Sequence, residues 1–382
     1  MKAAVSTVLT LLALLALGSR IEELSRWLVT ERGVAPQRVL PLRALLDGGL
    51  NAEDRATRTA GYYQGLLNGG AEAVATGFLA HQLDLARDHE GIGQAFHARF
   101  TGDFLWYDLP PDLDVASRAG RLVTNSQGLA DREYAIEHPP RTWRVALLGD
   151  SLIRGWGTQP GGTFEARLEE RLNGEHLPAD RDAIEVLNFG VDGYRLTQVM
   201  ECAVLKVPQY EPDAYVVSIG ALAGPKLWTP HLAGLIREGR DLRYDFLRDI
   251  AREAKLDRYD APATTRAKLA PYHLPILRWT LTRIRDVVAL ADRPLLVLLT
   301  PVVEPPAQVM DDFVGVTEAL DELGIAYVDL RGAFLDAKAP QTLRISDSDT
   351  HPNDAGHAVL YEKLYARLLA DPKLMHVWTG AE

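Results

Sequence analysis

Residues 147–154 read Leu-Leu-Gly-Asp-Ser-Leu-Ile-Arg, at the point where an apolar run stops abruptly. An amphipathic helical pattern follows, with Phe164, Leu168 and Leu172 spaced four residues apart. A strand that leads through a Gly-Asp turn into a helix places a serine at the carboxyl edge of a parallel sheet, where open α/β sheets bind their ligands. Ser151 is therefore a candidate acyl-transfer nucleophile; the alternative is a turn in which the serine only caps the helix.

Alternation of apolar runs and helical patterns continues through the rest of the chain. Buried parallel strands are predicted at 144–149, 184–191, 214–221, 294–301 and 326–330. Helices are predicted at 163–173, 195–208, 311–323 and 354–370. This order predicts a doubly wound α/β fold, a parallel sheet of five strands with helices on both faces. Residues 222–293 are too long for a simple crossover and are expected to form a cap over one end of the sheet, where insertions set substrate choice.

The N-terminus carries a signal of export. Lys2 precedes an uncharged stretch, residues 3–19, which is short for a bilayer crossing and typical of a signal-peptide core. An amphipathic helix then continues to about residue 32, which favours an uncleaved signal anchor over a cleaved signal. We expect a protein of the cell envelope, periplasmic or extracytoplasmic, held to the membrane by residues 1–32. The alternative is a buried N-terminal helix of a cytoplasmic protein.

The region between this segment and the sheet carries no motif of its own. Residues 33–100 show helical patterns, whereas 101–140 are rich in proline, aspartate and aromatic side chains. The segment 33–140 is therefore predicted to be a helical region followed by an extended strap. The main α/β domain is expected over 141–372.

Composition excludes several classes of function. A net charge of -11 argues against a nucleic-acid partner, because phosphate neutralisation needs clustered lysine and arginine. The single cysteine, Cys202, excludes an internal disulfide and a thiolate metal site. The sequence has no HExxH, no P-loop and no Gly-x-Gly-x-x-Gly after a strand, so we expect no cofactor and no metal site.

Four polar or glycine-rich segments fall at the predicted strand ends. They contain Ser151, Asn188 to Gly193, Gly220 to Ala223, and Asp347 to Asn353. Serine, histidine and aspartate are the residue types needed for a nucleophile, a base and an orienting carboxylate. His351, just before the last helix, can reach back over the sheet edge to the first strand.

At these segments the chain resembles the GDSL, or SGNH, hydrolases, a family of esterases, lipases and acyltransferases with a flavodoxin-like three-layer α/β/α fold. The resemblance covers about 145–370 and includes Asn125 to Gly128 and Pro212-Asp213 as well as the motifs themselves. It implies that Ser151 is the nucleophile and His351 the general base. It also implies an oxyanion hole formed by the backbone N–H groups of Ser151 and Gly193.

Two positions depart from the family pattern. The asparagine that usually follows the third strand, and whose amide donates to the oxyanion, aligns with Leu222, and the neighbouring acidic position with Ala223. The acid usually stands three residues before the histidine, where this chain has Ser348. Asp349, two before it, matches a variant of the alginate-acetylation branch and is preferred for the triad, with Asp347 as the alternative.

Three hypotheses follow for the function. The first is an exported serine esterase that removes a small acyl group, acetyl in particular, from a carbohydrate or lipid. The second is an O-acyltransferase that uses the same triad to pass an acyl group from a membrane-bound partner to an extracytoplasmic polysaccharide. The third is a degenerate domain that acts as a binding or scaffold subunit, for which Leu222 is the evidence. The acylated carbohydrate or lipid and the membrane are the expected partners.

Overall fold

The computed structural model describes residues 97–117, 120–220, 229–303, 313, 315–346 and 349–381. The expected signal anchor at 1–32 lies outside these ranges, as do residues 33–96, Leu222, Ala223 and Asp347. Within the described ranges, none of the helices combines the length and the hydrophobicity that a bilayer crossing requires.

The strap before the main sheet contains two short antiparallel strand pairs. The first pairs β1 (Arg99–Phe100) with β2 (Tyr107–Asp108), and the second pairs β3 (Asp114–Ser117) with β4 (Gly120–Val123). The segment expected to be a simple extended strap, 101–140, therefore contains paired strands, and it is irregular between the two pairs and after Val123.

The central sheet has the five parallel strands that the sequence predicts. They are β5 (Thr142–Gly149), β6 (Ala183–Gly190), β7 (Ala214–Gly220), β8 (Leu295–Thr300) and β9 (Ala326–Asp329). Their order in space is β6-β5-β7-β8-β9, and every neighbouring pair is parallel. The chain reverses direction across the sheet between β5 and β7, so the carboxyl ends of β5, β6 and β7 border the crevice in which such sheets bind ligands. The doubly wound prediction is confirmed.

Helices cover both faces of this sheet. The helices of the described residues are, in chain order, α1 (Ser151–Arg154), α2 (Phe164–Glu175), α3 (Leu196–Leu205), α4 (Thr229–Arg237), α5 (Asp245–Glu253), α6 (Pro262–Leu269), α7 (His273–Leu290), α8 (Val316–Leu323), α9 (Asp354–Ala370) and α10 (Pro372–Thr379). One layer is formed by α2, α9 and α10, and the other by α3, α7 and α8. A hairpin of β10 (Arg344–Ser346) and β11 (Asp349–Pro352) precedes α9. The three-layer α/β/α architecture is therefore confirmed.

The core between the sheet and the α2–α9–α10 layer follows from the two-residue period of a strand. Val145 and Leu147 of β5 point to the same face and are fully buried against Leu168 of α2 and Leu364 of α9. Trp378 of α10 is also fully buried in this cluster. Because α10 packs against β5, β7 and β8, the layer extends to Thr379, beyond the boundary expected at residue 372.

Two predicted segments differ from the structure. The helix expected over 195–208 ends at Leu205, because Pro208 has no N–H to continue the ladder and a short 3-10 turn, Val207–Tyr210, follows. The expected cap over 222–293 does not include α7, which packs against α3 and α8 and is a crossover helix of the sandwich. For the part of that range before α7, the cap stays a prediction.

β6 is an edge strand whose outward N–H groups are paired with side chains rather than with another strand. The N–H of Asn188 donates to Asp131 Oδ2 at 3.0 Å, and the N–H of Ile184 donates to Asn173 Oδ1 at 2.9 Å. The N–H of Val186, between them, donates to Glu169 Oε2. Burial and the nearby carboxylates raise the pKa of Asp131 to about 8.

Candidate active site

Ser151 lies where β5 ends and α1 begins. Asp150 caps α1, since its Oδ1 accepts a hydrogen bond from Leu152 N at 3.0 Å. Gly149 is required just before it, because a Cβ there would lie 2.3 Å from Ile153 Cγ1. The turn therefore brings the helix back over the strand end and leaves the serine at its first position, with 7% of its surface exposed.

The serine hydroxyl is paired with His351. Ser151 Oγ and His351 Nε2 are 2.7 Å apart, although 200 residues separate them in the chain. The β10–β11 hairpin positions the histidine in β11, and Asn353 caps the helix that follows with its side chain. An imidazole at this distance can accept the hydroxyl proton, which is the requirement for general base catalysis.

Asp349 binds the second nitrogen of the imidazole. His351 Nδ1 lies 2.6 Å from Asp349 Oδ1, and the main-chain N–H of His351 donates to the same oxygen at 3.1 Å. Trp156 donates from Nε1 to the second oxygen, Oδ2, at 2.9 Å. Burial alone would raise the pKa of Asp349, but the hydrogen bonds from Trp156 and His351 outweigh it and hold this pKa below its usual value. The carboxylate thus stays charged beside the ring.

The loop after β6 is held close to α1 by Asn188 and Gly190, and it contains Gly193. Asn188 donates from Nδ2 to Ile153 O at 2.6 Å, and its Oδ1 accepts from Gly190 N at 2.9 Å. A Cβ on Gly190 would lie 2.2 Å from Arg154 N, so only glycine lets this loop approach α1. Gly193 has a φ of 73°, and its N–H donates to no acceptor in the part of the chain that the structure describes.

Asp192 of this loop forms a buried ion pair with Arg154 of α1. Arg154 Nε donates to Asp192 Oδ1 at 2.7 Å, and the two side chains are 3% and 1% exposed. Burial raises the pKa of Asp192, and the guanidinium offsets part of that effect. The guanidinium carbon of Arg154 also lies 5.1 Å from the Trp156 ring centroid. One arginine therefore contacts both the loop of Gly193 and the indole that binds Asp349.

Of the residues proposed from the sequence, the structure places Ser151 Oγ beside His351 and His351 beside Asp349, whereas the alternative acid Asp347 lies outside the described residues. Leu222 and Ala223 also lie outside them, so the third strand end contributes no described donor. Sequence reasoning missed Trp156, Arg154 and Asp192. Two features of the sequence could have identified two of these residues. Arg154 is a charged residue directly after the apolar pair Leu152-Ile153, and Asp192 is an acidic residue between the two glycines of the loop after β6.

His357, on α9, serves a different purpose from His351. Its Nδ1 accepts a hydrogen bond from Phe164 N at 3.2 Å, and its ring stacks on the Phe164 ring at 6.0 Å. Burial lowers the pKa of His357 to about 3, so the ring is neutral and works as a buried cap acceptor for α2. Over the described ranges, no group of three or more histidine, cysteine or acidic side chains is arranged to hold a metal ion.

Trp156→Phe is expected to lower kcat/KM about tenfold and to move the acidic limb of its pH profile to higher pH. The variant loses the N–H that stabilises the charged Asp349 carboxylate, a bond to a charged group that is worth roughly 1.5 kcal/mol or more. The pKa of Asp349 should rise towards its usual value. Because the carboxylate no longer shares its charge with the indole N–H, it should stabilise the protonated form of the imidazole more strongly. The pH dependence of kcat/KM, with a nitrophenyl ester offered as the substrate, measures both effects.

Trp143→Phe is the matched control for this prediction. Trp143 Nε1 donates to Val377 O at 3.1 Å at the opposite end of β5, so this variant also loses one indole hydrogen bond. Equal pH profiles for the two variants would show that Trp156 has no part in positioning Asp349.

Comparison with known proteins assigns residues 147–359 to the model of the GDSL-like lipase/acylhydrolase family. Among solved structures, a lipase/acylhydrolase from Enterococcus faecalis matches at 12% identity and a TM-score of 0.38, over 60% of this chain and 96% of that one. TesA matches at 15% identity and 0.38, over 59% and 98%. A catalytic mutant of an acetylxylan esterase from Geobacillus stearothermophilus matches at 18% and 0.38, over 60% and 95%. No curated protein sequence matches the chain.

Proposed function

The chain belongs to the GDSL-like lipase/acylhydrolase family, and on that basis we propose that it is a serine esterase with Ser151 as its nucleophile. Its substrate is a small acyl ester, acetyl in particular, on a carbohydrate or lipid. The observation that supports this is the continuous chain of contacts from Ser151 Oγ to His351 Nε2 at 2.7 Å and from His351 Nδ1 to Asp349 Oδ1 at 2.6 Å.

The proposed reaction has two halves. Ser151 Oγ attacks the ester carbonyl while His351 takes the hydroxyl proton, and the carbonyl oxygen becomes an oxyanion. Collapse of this intermediate breaks the bond to the alcohol, which leaves with the proton from His351, and an acyl-serine remains. Water then attacks the acyl group with His351 again as base, and the carboxylic acid is released. Asp349 keeps the imidazole oriented and stabilises its charged form throughout.

Main-chain N–H groups are the proposed oxyanion donors. Ser151 is the first residue of α1, so its N–H has no acceptor within that helix. The N–H of Gly193 has no partner among the described residues. A leucine side chain at position 222 cannot donate a hydrogen bond. The N–H groups of Ser151 and Gly193 therefore provide the stabilisation of the oxyanion to which an asparagine side chain also contributes in the family pattern.

Labelling with a fluorophosphonate probe tests the proposal, because phosphonylation requires an activated serine. We expect the parent protein to be labelled, the adduct to map to Ser151 by peptide mass spectrometry, and His351→Ala to remain unlabelled. His376→Ala is the matched control, since His376 is an exposed histidine of α10 outside the site. A series of nitrophenyl esters should then be hydrolysed fastest as the acetate.

Absence of labelling in the parent, under conditions in which a known serine esterase reacts, would contradict the proposal and favour the scaffold hypothesis. An adduct on a different serine would also contradict it. A preference for octanoate over acetate would overturn the small-acyl part alone.

Acyl transfer is a second candidate, because the same triad can pass the acyl group to a sugar hydroxyl instead of water. The uncharged stretch 3–19 favours it, since a membrane anchor would hold the enzyme beside a membrane-borne acyl donor. Export to the cell envelope and anchoring by residues 1–32 are parts of this proposal. Adding a polysaccharide acceptor to the ester assay separates the two functions: a transferase releases the nitrophenol but moves acetate onto the polysaccharide.

A further inference from the structure

The peptide group between Asp192 and Gly193 is held from its carbonyl side by a tyrosine. Tyr107 donates from its hydroxyl to the main-chain oxygen of Asp192 at 3.1 Å, and both residues are buried. This carbonyl and the N–H of Gly193 belong to the same planar, trans peptide, so they point in opposite directions. Fixing the carbonyl therefore fixes the direction in which the N–H of Gly193 points.

Tyr107 is well placed to act as a permanent donor. It lies in β2 of the strap, 2% exposed, with its ring 5.5 Å from that of Tyr194 and 5.6 Å from that of Trp106. Burial raises the pKa of Tyr107 above its ordinary value, so the hydroxyl keeps its proton. The side chain of Asp192 is meanwhile held by Arg154. Hydrogen bonds thus hold the Asp192–Gly193 peptide at its carbonyl oxygen and at the side chain of Asp192.

From this geometry we infer that Tyr107 is a positioning residue for the oxyanion hole, which it serves by aiming and polarising the N–H of Gly193. The inference rests on the proposed esterase function. A hydrogen bond accepted by a carbonyl strengthens the donor at the other end of the same amide, because chains of hydrogen bonds polarise one another. Donors that are pre-aimed at the developing negative charge act without reorganisation during the reaction.

This chain differs from the family pattern in two respects that bear on Tyr107. Leu222 stands where the family pattern has a donating asparagine, so the N–H of Gly193 is one of two proposed donors instead of three. Tyr107 also lies outside residues 147–359, which match the family model. The strap therefore supplies a part of the site that the family segment does not contain.

Tyr107→Phe tests the inference because it removes one oxygen atom and keeps the packed ring. Complete loss of an oxyanion donor typically costs about two to three orders of magnitude in kcat. A donor that is still present but less well aimed should cost less, and we expect kcat for nitrophenyl acetate to fall about tenfold, with KM changed less than about twofold. A trifluoromethyl ketone, which forms an oxyanion at the same place, should lose affinity by about the same factor as kcat.

Tyr134→Phe is the matched control. Tyr134 is also a buried tyrosine of the strap, and its hydroxyl lies 3.1 Å from a β6 carbonyl, that of Val186, six residues before Asp192. It lies outside the proposed site, so its kcat should stay within about twofold of the parent. Titration of reactive serines with the fluorophosphonate probe normalises each kcat to folded, active protein, so partial misfolding of a variant cannot imitate the effect.

The outcomes separate the two proposals. A parent protein that neither reacts with the probe nor hydrolyses esters overturns the esterase function, and the role of Tyr107 falls with it. An active parent with an unchanged kcat in Tyr107→Phe overturns the positioning role alone. Equal losses in Tyr107→Phe and Tyr134→Phe, or a loss confined to KM, would also overturn it, since a general loosening of the strap would then explain the result.

Discussion

Replacing Ser151 with alanine is expected to lower kcat for ester hydrolysis about 10⁶-fold. Members of a catalytic triad act as a unit, and loss of the nucleophile leaves only the acceleration that binding and the oxyanion donors provide to attack by water. Because Ser151 is buried at the first position of α1 and alanine is a good helix former, the fold should persist. Steady-state kinetics with nitrophenyl acetate, supported by circular dichroism, measures the loss.

Ser126→Ala provides the control, since Ser126 is an exposed serine of the strap whose hydroxyl donates to Glu133 Oε2 at 2.9 Å. Its kcat should equal that of the parent. If Ser151→Ala kept more than about a hundredth of the parent activity, another nucleophile or a bound water would have to attack the ester carbonyl. The assignment of Ser151 would then be wrong. Activity in the parent that vanishes in this variant would eliminate the scaffold hypothesis.

The second large effect concerns stability. Arg154→Met should lower the free energy of unfolding by about 3–5 kcal/mol, because it leaves the buried carboxylate of Asp192 without its cation. The double variant Arg154→Met/Asp192→Leu should recover part of this loss, since the uncompensated charge is then also removed. Urea unfolding followed by circular dichroism measures both differences.

Arg248→Ala is the comparison for an exposed pair. Arg248 binds Asp241 and Asp245 at the surface, where water screens the interaction, and its removal should leave the urea midpoint unchanged. A loss of less than about 1 kcal/mol in Arg154→Met would show that the pair is compensated by water or by neighbouring dipoles, contrary to this prediction.

Local patterns were sufficient to predict the sheet and to identify the segments that lie at the carboxyl ends of its strands. The apolar runs of β5 to β9 have the composition of buried strands, and the parallel arrangement places their carboxyl ends together, so Ser151 and the loop of Gly193 could be located from spacing alone. The meeting of Ser151 with His351 follows from the same topology, because the last loop returns to the same edge.

Contacts between distant segments could not be predicted in this way. Trp156 and Asp349 are 193 residues apart in the chain, and Tyr107 and Asp192 are 85 apart. Contacts over such separations produce no periodic pattern in the sequence. The burial of a side chain such as Arg154 could not be predicted either, because one charged residue next to two apolar residues also fits a helix with its charged side exposed to solvent. The role of α7 was missed for a related reason: its length and amphipathicity suit a cap and a crossover equally well.

The side chains that pair with the edge of β6 have a consequence for the behaviour of the protein in concentrated solution. A free strand edge is a template on which a strand of another molecule can add, and this is a common route to aggregation. Here Asp131, Glu169 and Asn173 already occupy three successive outward N–H groups, so a foreign strand would have to displace all three bonds before it could pair. The strap and α2 thereby protect this edge from intermolecular β-pairing without adding a strand to the sheet.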